Sequence, residues 1–149
     1  MEQLILPPSG LVYIDTDIVI YSVEKIEPYS SLLRPMWLAA QAGQITLISS
    51  ELLLLETLVK PIQNADVTLE TTFRNLLLAT PEFRLISIDI SILDKAAHLR
   101  AETGVKTPDA IHAATALLAE CQLFLSNDKG FRRIPDLPVT ILNEFIEPG

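Results

Sequence analysis

Four carboxylates in the sequence occupy positions where side chains can do chemistry: Asp15, Glu56, Asp109 and Asp128. Asp15 follows the apolar run LVYI, Asp128 follows LFL in the segment LSNDKGF, and Asp109 opens a predicted helix in TPDAIHAATAL. Glu56 lies in the helix that follows the second predicted strand. Ligands of open α/β sheets gather outside the carboxyl ends of the strands, so these positions can converge although they are far apart in sequence.

Such a group of acids has a direct chemical consequence. Carboxylates in one pocket repel each other and raise one another's pKa values unless a cation neutralises them. Oxygen ligands favour Mg²⁺ or Mn²⁺ over zinc, and the chain has only one Cys and two His residues to compete. The four acids therefore predict a site for a hard divalent cation.

Each acid also has a structural explanation to weigh. Asp15 and Asp128 are typical of turns after strands, and Asp109 in a first turn favours the helix dipole. Glu56 is harder to explain in this way, because an unpaired carboxylate within an apolar helix is costly to bury. His112 lies on the same helix face as Asp109, and we expect a structural role for it beside the pocket, because hard cations rarely need imidazole.

The elements that position these residues alternate between short apolar runs and helical patterns, which is typical of an α/β fold. Helical connections predict a mainly parallel sheet of four to five strands, with helices on both faces. The predicted strands are 11–14, 45–48, 85–88, 123–125 and 139–142, and the predicted helices are 17–24, 31–42, 51–59, 67–79, 91–102 and 108–120, the last with Thr107 as its N-cap.

Capping and helix-breaking residues predict several of these boundaries. Ser49 and Ser50 are good N-caps for the helix that carries Glu56, and Pro61 is expected to end or bend that helix. Pro35 is expected near the first turn of its helix. Asp66 is a predicted cap for the helix that begins at residue 67. The two helices between residues 51 and 79 are expected to form an antiparallel hairpin.

Length and composition predict one folded domain over residues 1–149. The chain has a mass of 16.5 kDa, and 49% of its residues are hydrophobic with a mean hydropathy of +0.35. A core can therefore form, and apolar surface can remain for a partner. The apolar runs are far shorter than the roughly 20 residues that span a bilayer, so we expect no membrane segment.

Charge and the first residues bear on location and partners. A net charge of −8 argues against holding nucleic acid by bulk electrostatics, although bound cations weaken that objection for a metal-dependent nuclease. Glu2, with Pro7 and Pro8 close behind, is unlike a signal peptide, and the lone Cys121 cannot form an internal disulfide. We therefore expect a cytoplasmic protein.

Four segments together resemble a known family, the PIN-domain ribonucleases, and especially their VapC-like toxins of toxin–antitoxin systems. YIDTDIVIY is similar to the opening strand with the first acid of that family, and SSELLLLET to the segment with the second. TPDAIHAATAL is similar to the helix with the third acid, and LSNDKGF to the segment with the fourth. Each motif alone is weak, but their order and spacing from residue 11 onwards make the joint resemblance strong.

The resemblance implies a PIN-like three-layer α/β/α sandwich and metal-dependent hydrolysis of RNA with Mg²⁺ or Mn²⁺. It implies that Asp15, Glu56, Asp109 and Asp128 are catalytic residues and metal ligands. Supporting roles fall to Ser126 and Asn127, which could orient a water or a phosphate, and to Asp17. The family often has Asn or Ser at the position of Asp17, so Asp15 and Asp17 could share ligand duties here.

Partners follow from the same resemblance: an RNA substrate and a cognate antitoxin protein. The apolar hairpin of residues 51–79 is a candidate surface for a homodimer or for an antitoxin helix. The basic residues Lys129, Arg132 and Arg133 could contact the RNA backbone, although an exposed charged run is usually only solvated.

Two other functions stay open at the level of sequence. One is a catalytically silent or regulatory PIN module that acts through protein contacts, against which the presence of all four acids counts. The other is a Mg²⁺-dependent phosphatase, because the order Asp15-Thr16-Asp17 at a strand end is similar to an aspartyl nucleophile with its acid partner. The later motifs fit a phosphatase poorly.

Overall fold

A five-stranded parallel sheet forms the centre of the structure, a computed structural model that describes residues 3–146. Its order is β3-β2-β1-β4-β5, and every neighbouring pair is parallel. The chain thus winds away from β1 in both directions, which creates a switch point between β1 and β4. The strands are β1 Leu11–Ile14, β2 Thr46–Ser50, β3 Phe83–Ile86, β4 Leu123–Ser126 and β5 Val139–Ile141.

Six helices cover both faces of the sheet and complete three layers. They are α1 Thr16–Val23, α2 Tyr29–Gln41, α3 Leu52–Gln63, α4 Val67–Ala79, α5 Ile90–Thr103 and α6 Thr107–Ala119, with short 3₁₀ helices at Lys129–Arg133 and Leu142–Phe145. The first four α-helices pack on one face and the last two on the other. The predicted three-layer α/β/α fold with a mainly parallel sheet is confirmed.

Strand β1 shows how the sequence divides the core. Successive side chains of a strand point to opposite faces. Val12 and Ile14 accordingly join the core with α1 to α4, whereas Tyr13 joins the core with α5 and α6. All three are fully buried, and the ring of Tyr13 stacks on Phe124 of β4 at 4.9 Å between centroids. A strand buried on both faces explains the uninterrupted apolar run.

Two predicted helix boundaries agree with the structure because local capping decides them. Asp66 accepts a hydrogen bond from the backbone N of Leu69, which caps α4 at the predicted residue. Gly104 ends α5 in the left-handed conformation, with φ of 75° and its N–H bonded to Arg100. Such an end favours glycine because a Cβ is strained there.

Other boundaries were predicted wrongly. Ser49 belongs to β2, and its hydroxyl donates to the carbonyl of Ile14 instead of capping α3; Ser50 does accept from the N of Leu52. Pro35 and Pro61 lie inside α2 and α3, which continue past them. Packing of the apolar helix faces outweighs the single backbone hydrogen bond that each proline removes. Strand β3 begins at Phe83, earlier than predicted.

Within the described part of the chain, no helix is both long enough and apolar enough to cross a membrane.

Candidate functional site

The predicted site residues meet at the carboxyl ends of β1 and β4, beside the switch point of the sheet. Asp15 follows β1 directly, and Ser126 is the last residue of β4. The backbone N of Asp15 donates to the carbonyl of Leu125 at 3.0 Å, so the two strand ends are joined. Residues that leave both strands therefore enter the same crevice, as the topology predicts.

Asp15 lies at the bottom of this crevice and is only 8% exposed. Its Oδ1 accepts from the backbone N of Thr16 and its Oδ2 from the hydroxyl of Ser126, both at 2.8 Å. Burial raises the pKa of Asp15, and the proximity of His112 and these hydrogen bonds offset the rise only in part. The carboxylate is firmly oriented but costly to ionise.

Glu56 reaches the crevice from α3 and is held by two donors on one oxygen. Its Oε1 accepts from Thr16 Oγ1 at 2.8 Å and from His112 Nε2 at 2.6 Å. Burial is the largest single influence on this carboxyl and works against its ionisation, but the hydrogen bond and charge of His112 and the hydrogen bond from Thr16 together lower its pKa. Burial likewise opposes the charge of His112, but the hydrogen bond to Glu56 and the charges of Asp15, Glu56 and Asp109 together raise its pKa.

Asp17 has one oxygen bonded and one without a partner. Its Oδ2 accepts from the backbone N of Asn127 at 2.9 Å, whereas its Oδ1 is buried and has no hydrogen-bond partner among the described residues. Burial, and next the negative charge of Asp15, raise the pKa of Asp17 to about 7. An orphaned buried carboxylate oxygen is rare in a protein interior and asks for an explanation.

Asp109 and Asp128 form the outer side of the site. Asp109, in the first turn of α6, is half-buried, and its pKa is raised by burial and then by the charges of Asp128 and Asp15. Asp128 is exposed, and its Oδ1 accepts from the N of Gly130 at 2.8 Å to cap the 3₁₀ helix. Its backbone N donates to the hydroxyl of Ser126. The predicted turn role of Asp128 is therefore real, alongside its place next to the other acids.

These observations fit a divalent cation chemically. The ligand atoms are carboxylate oxygens, the pKa values of Asp15, Asp17 and Asp109 are all raised, and no described residue donates a hydrogen bond to the buried Oδ1 of Asp17. Across residues 3–146, however, no three Asp, Glu, His or Cys side chains already converge in a metal-binding arrangement. The ligand roles of Asp15, Glu56, Asp109 and Asp128 accordingly stay predictions.

Asn127, which the sequence analysis expected to orient a water or a phosphate, makes two hydrogen bonds within the protein. Its Nδ2 donates to the hydroxyl of Tyr21 at 3.1 Å, and its Oδ1 accepts from the backbone N of Asn143 at 2.8 Å. Both ends of the amide thus tie the loop after β4 to α1 and to the last 3₁₀ helix. Whether it also acts on substrate stays a prediction, as it does for Ser126, whose hydroxyl bonds Asp15.

Sequence reasoning missed the polar residues that support the acids. Thr16 bonds both Asp15 and Glu56. Tyr13, within the most apolar strand, places its hydroxyl 2.5 Å from His112 Nδ1. Tyr13 could have been found from the sequence, because it places a phenol in a strand predicted to be buried, and a buried hydroxyl needs a hydrogen-bond partner.

Comparison with known proteins agrees with this architecture. A model of the PIN domain family matches residues 12–137. No curated protein matches the sequence significantly. Among solved structures, the chain is similar to VapBC2 from Rickettsia felis, crystallised with a promoter DNA fragment, at a TM-score of 0.69 and 20% identity over 88% of this chain and 98% of that one.

Two further structures have the same fold. One is a toxin–antitoxin complex from Klebsiella pneumoniae, with a TM-score of 0.64 and 25% identity over 88% of this chain and 97% of that one. The other is FitAcB from Neisseria gonorrhoeae, with a TM-score of 0.65 and 17% identity over the same shares. The resemblance to PIN domains and VapC-like toxins that the sequence motifs suggested is confirmed. The chain belongs to the PIN domain family of nucleases.

Proposed function

We propose that this protein is a metal-dependent endoribonuclease and the toxin of a toxin–antitoxin pair. The observation that carries the proposal is the buried Oδ1 of Asp17 beside Asp15, which has no hydrogen-bond partner within residues 3–146, in a site where three carboxyl pKa values are raised. Carboxylates arranged in this way destabilise the protein unless they bind a cation, and a hard cation is what phosphodiester hydrolysis needs.

The residues that would hold Mg²⁺ or Mn²⁺ are Asp15, Glu56, Asp109 and Asp128, with Asp17 sharing the duty of Asp15. When bound, the cation supplies Lewis acidity toward a phosphate oxygen and lowers the pKa of a coordinated water. The chain itself orients the ligands. Thr16 and Ser126 direct the two oxygens of Asp15, so that this carboxylate needs no rearrangement to act.

RNA would approach from the exposed side of Asp128. Of the basic residues that follow it, Arg132 is paired with Glu144, and Arg133 Nε donates to the carbonyl of Gly130 at 3.4 Å. Exposed Lys129 begins the 3₁₀ helix and is the residue that we assign to the RNA backbone. Phosphate neutralisation by so few basic groups is weak, so substrate binding depends on the bound cation.

The partner surface that we propose is the outer face of the hairpin formed by α3 and α4. Leu55, Val59 and Ile62 are 63%, 45% and 52% exposed and lie along one side of α3, and Leu78 of α4 is 61% exposed. Apolar side chains at helical spacing suit a second copy of the chain or an antitoxin helix. The naming of the structural neighbours as VapBC2 and as a toxin–antitoxin complex supports an antitoxin.

A single nuclease domain over residues 1–149, homodimer formation and a cytoplasmic location complete this proposal. Leu78→Asp tests the surface, because a carboxylate there disfavours apolar association and lies on α4, which carries none of the proposed site residues. We expect sedimentation of the variant to show a smaller species than wild type, with cleavage of RNA unchanged. An unaltered oligomeric state would remove this face from the proposal.

The decisive experiment is cleavage of a mixed single-stranded RNA panel in Mg²⁺, in Mn²⁺ and in EDTA. Wild type is compared with Asp15→Asn and with the control Asp94→Asn, which alters an exposed acid on α5. We expect cleavage by wild type and by the control in either metal, and none in EDTA or by Asp15→Asn. Absence of metal-dependent cleavage in wild type would reject the ribonuclease, and transfer of phosphate to the protein would favour the phosphatase.

A further inference from the structure

A chain of buried polar groups stands behind Glu56 and joins three elements. Glu56 of α3 is bonded to His112 of α6 at 2.6 Å, and His112 is bonded to Tyr13 of β1 at 2.5 Å. Tyr13 is fully buried and His112 is 1% exposed, whereas the side chain of Glu56 is 25% exposed. The chain therefore runs from the interior of the protein to a carboxylate at the edge of the crevice.

The direction of the hydrogen bonds is set by the acid. An ionised carboxylate can only accept, so His112 Nε2 donates to Glu56 Oε1. In the neutral imidazole, Nδ1 is then the acceptor and the hydroxyl of Tyr13 donates to it, while the backbone N of Ser50 donates to the same hydroxyl oxygen at 3.1 Å. In the protonated imidazole, Nε2 keeps its proton and still donates to Glu56 Oε1.

The second donor to Glu56 falls on the same oxygen. Thr16 Oγ1 donates to Oε1 at 2.8 Å, so two side chains hold one oxygen of the carboxylate. Rotation of the carboxylate about its Cγ–Cδ bond would break both hydrogen bonds, so they favour one orientation of the other oxygen, Oε2. A ligand that must meet a cation in one orientation needs this kind of support.

If His112 served only to stabilise the core, a different result would be expected. A buried histidine that only fills the core can be replaced, together with its phenol partner, by apolar side chains of similar shape at little cost. Here the histidine lies between a phenol that is bonded to the backbone and a partly exposed acid of the site, and its Nε2 also comes within 3.8 Å of Asp15 Oδ1. Its place at the junction of two site carboxylates is what favours a role in the site.

We propose that Tyr13 and His112 form a strut that positions the Glu56 carboxylate for a divalent cation. His112 and Tyr13 are positioning residues, because they act through Glu56 and do not touch the cation or RNA themselves. This inference rests on the proposed function, and it adds two residues to the site that are not among its four acids.

The test is the affinity of the protein for Mn²⁺, measured by titration calorimetry without RNA. His112→Leu should weaken Mn²⁺ binding by about 10- to 100-fold, which is typical of losing a group that orients a metal ligand. His112→Gln should recover much of the affinity, because its amide can still donate toward Glu56. Thr115→Val is the matched control, since Thr115 is a buried polar residue of the same helix bonded only to the carbonyl of Ile111.

A double-variant cycle separates positioning from general damage to the fold. In a Glu56→Gln background, His112→Leu should change Mn²⁺ affinity little further, because the strut has lost the charged group that it positions. If His112→Leu folds poorly, the double variant Tyr13→Phe/His112→Leu replaces it in the Mn²⁺ titration, because it leaves no unpaired phenol in the core. Thermal melts of the metal-free variants show which proteins are folded.

The outcomes distinguish this inference from the proposed function. Equal Mn²⁺ affinity in wild type and in folded His112→Leu, or the same weakening in the Glu56→Gln background as in wild type, would overturn the strut and leave the nuclease proposal intact. Failure of wild type to bind Mn²⁺ would reject the proposed metal chemistry, and the strut with it.

Discussion

The acidic site has two halves that differ in how their charges are supported. In the inner half, Asp15 and Glu56 accept hydrogen bonds from Thr16, Ser126 and His112. In the outer half, Asp17 has a buried oxygen with no partner among the described residues, Asp109 is half-buried beside other acids, and Asp128 is exposed. Sequence alone assigns similar acids to both halves.

The difference teaches that side-chain donors support the acids of the inner half, whereas Asp17 and Asp128 of the outer half accept hydrogen bonds from backbone N–H groups. Hydrogen bonds hold a carboxylate in place and lower the cost of burying it, whereas neighbouring acids raise that cost through repulsion. Mutations should therefore separate the two halves by their effect on stability, even where both abolish cleavage. The predictions below run from the largest expected effect to the smallest.

Asp109→Asn should reduce RNA cleavage by about 100-fold or more, because it removes a proposed cation ligand. The metal-free variant should be at least as stable as wild type, since the charge removed is repelled by Asp128 and Asp15. Cleavage rates and thermal melts measure the two effects. Asp89→Asn is the control, because Asp89 caps α5 through the N of Ile92 and asparagine caps nearly as well. Unchanged cleavage by Asp109→Asn would remove this residue from the site.

Ser126→Ala should lower the free energy of unfolding by about 1–3 kcal/mol, because a buried donor to a carboxylate is lost. Ser49→Ala is the matched comparison: Ser49 is equally buried and donates over the same 2.8 Å, but to the carbonyl of Ile14. A neutral acceptor should make its loss the smaller one. Urea unfolding of the metal-free proteins measures both. Equal losses would mean that the charge of Asp15 adds nothing to the inner half.

Asp17→Asn should raise the free energy of unfolding at pH 8 by about 1–2 kcal/mol, because a buried charge disappears while the acceptor for the N of Asn127 remains. Added Mn²⁺ should then stabilise wild type more than the variant, which would be seen as a larger rise in melting temperature. A metal-free variant less stable than wild type would show that Asp17 Oδ1 has a hydrogen-bond partner in solution. The proposed difference in support between the two halves would then be wrong.

The raised carboxyl pKa values, above all that of Asp17 in the outer half, should make the free energy of unfolding depend on pH. The pKa of Asp17 is raised from 3.8 to about 7, so the folded protein keeps a proton that the unfolded chain releases. Stability of the metal-free protein should consequently fall as pH rises from about 4 to about 7, and the raised pKa values of Asp15 and Asp109 act in the same direction. Urea midpoints across this range measure the slope. Asp17→Asn should flatten it, and a wild-type slope of the opposite sign would contradict the assignment.

Below this range Glu56 should act in the opposite sense. Its pKa is lowered in the folded protein, so the stability that it contributes is present above its ordinary pKa and is lost as pH falls through the folded value. Glu56→Gln should therefore remove part of the acid sensitivity of the protein while leaving the decline toward neutral pH in place. The two arms of one pH profile thus report separately on the acids whose pKa values are raised and on Glu56, whose pKa is lowered.

Much of the fold followed from local pattern. The apolar run of β1, the Asp66 cap and the Gly104 stop involve residues close in sequence, and such signals act whatever the rest of the chain does. Boundaries failed where packing competes with local rules, as at Pro35 and Pro61, because a helix that buries its apolar face tolerates a missing hydrogen bond.

By itself, the sequence determined the α/β class, the order of the elements and the acids at strand and helix ends. These features depend on the spacing of apolar residues and on capping residues, which are close together in the sequence. Only the tertiary structure decided how those acids are supported. The bond between His112 and Glu56 spans 56 positions, and that between Ser126 and Asp15 spans 111. No local rule specifies such pairs, since they form only when the parallel sheet brings separate strand ends and helices to one crevice.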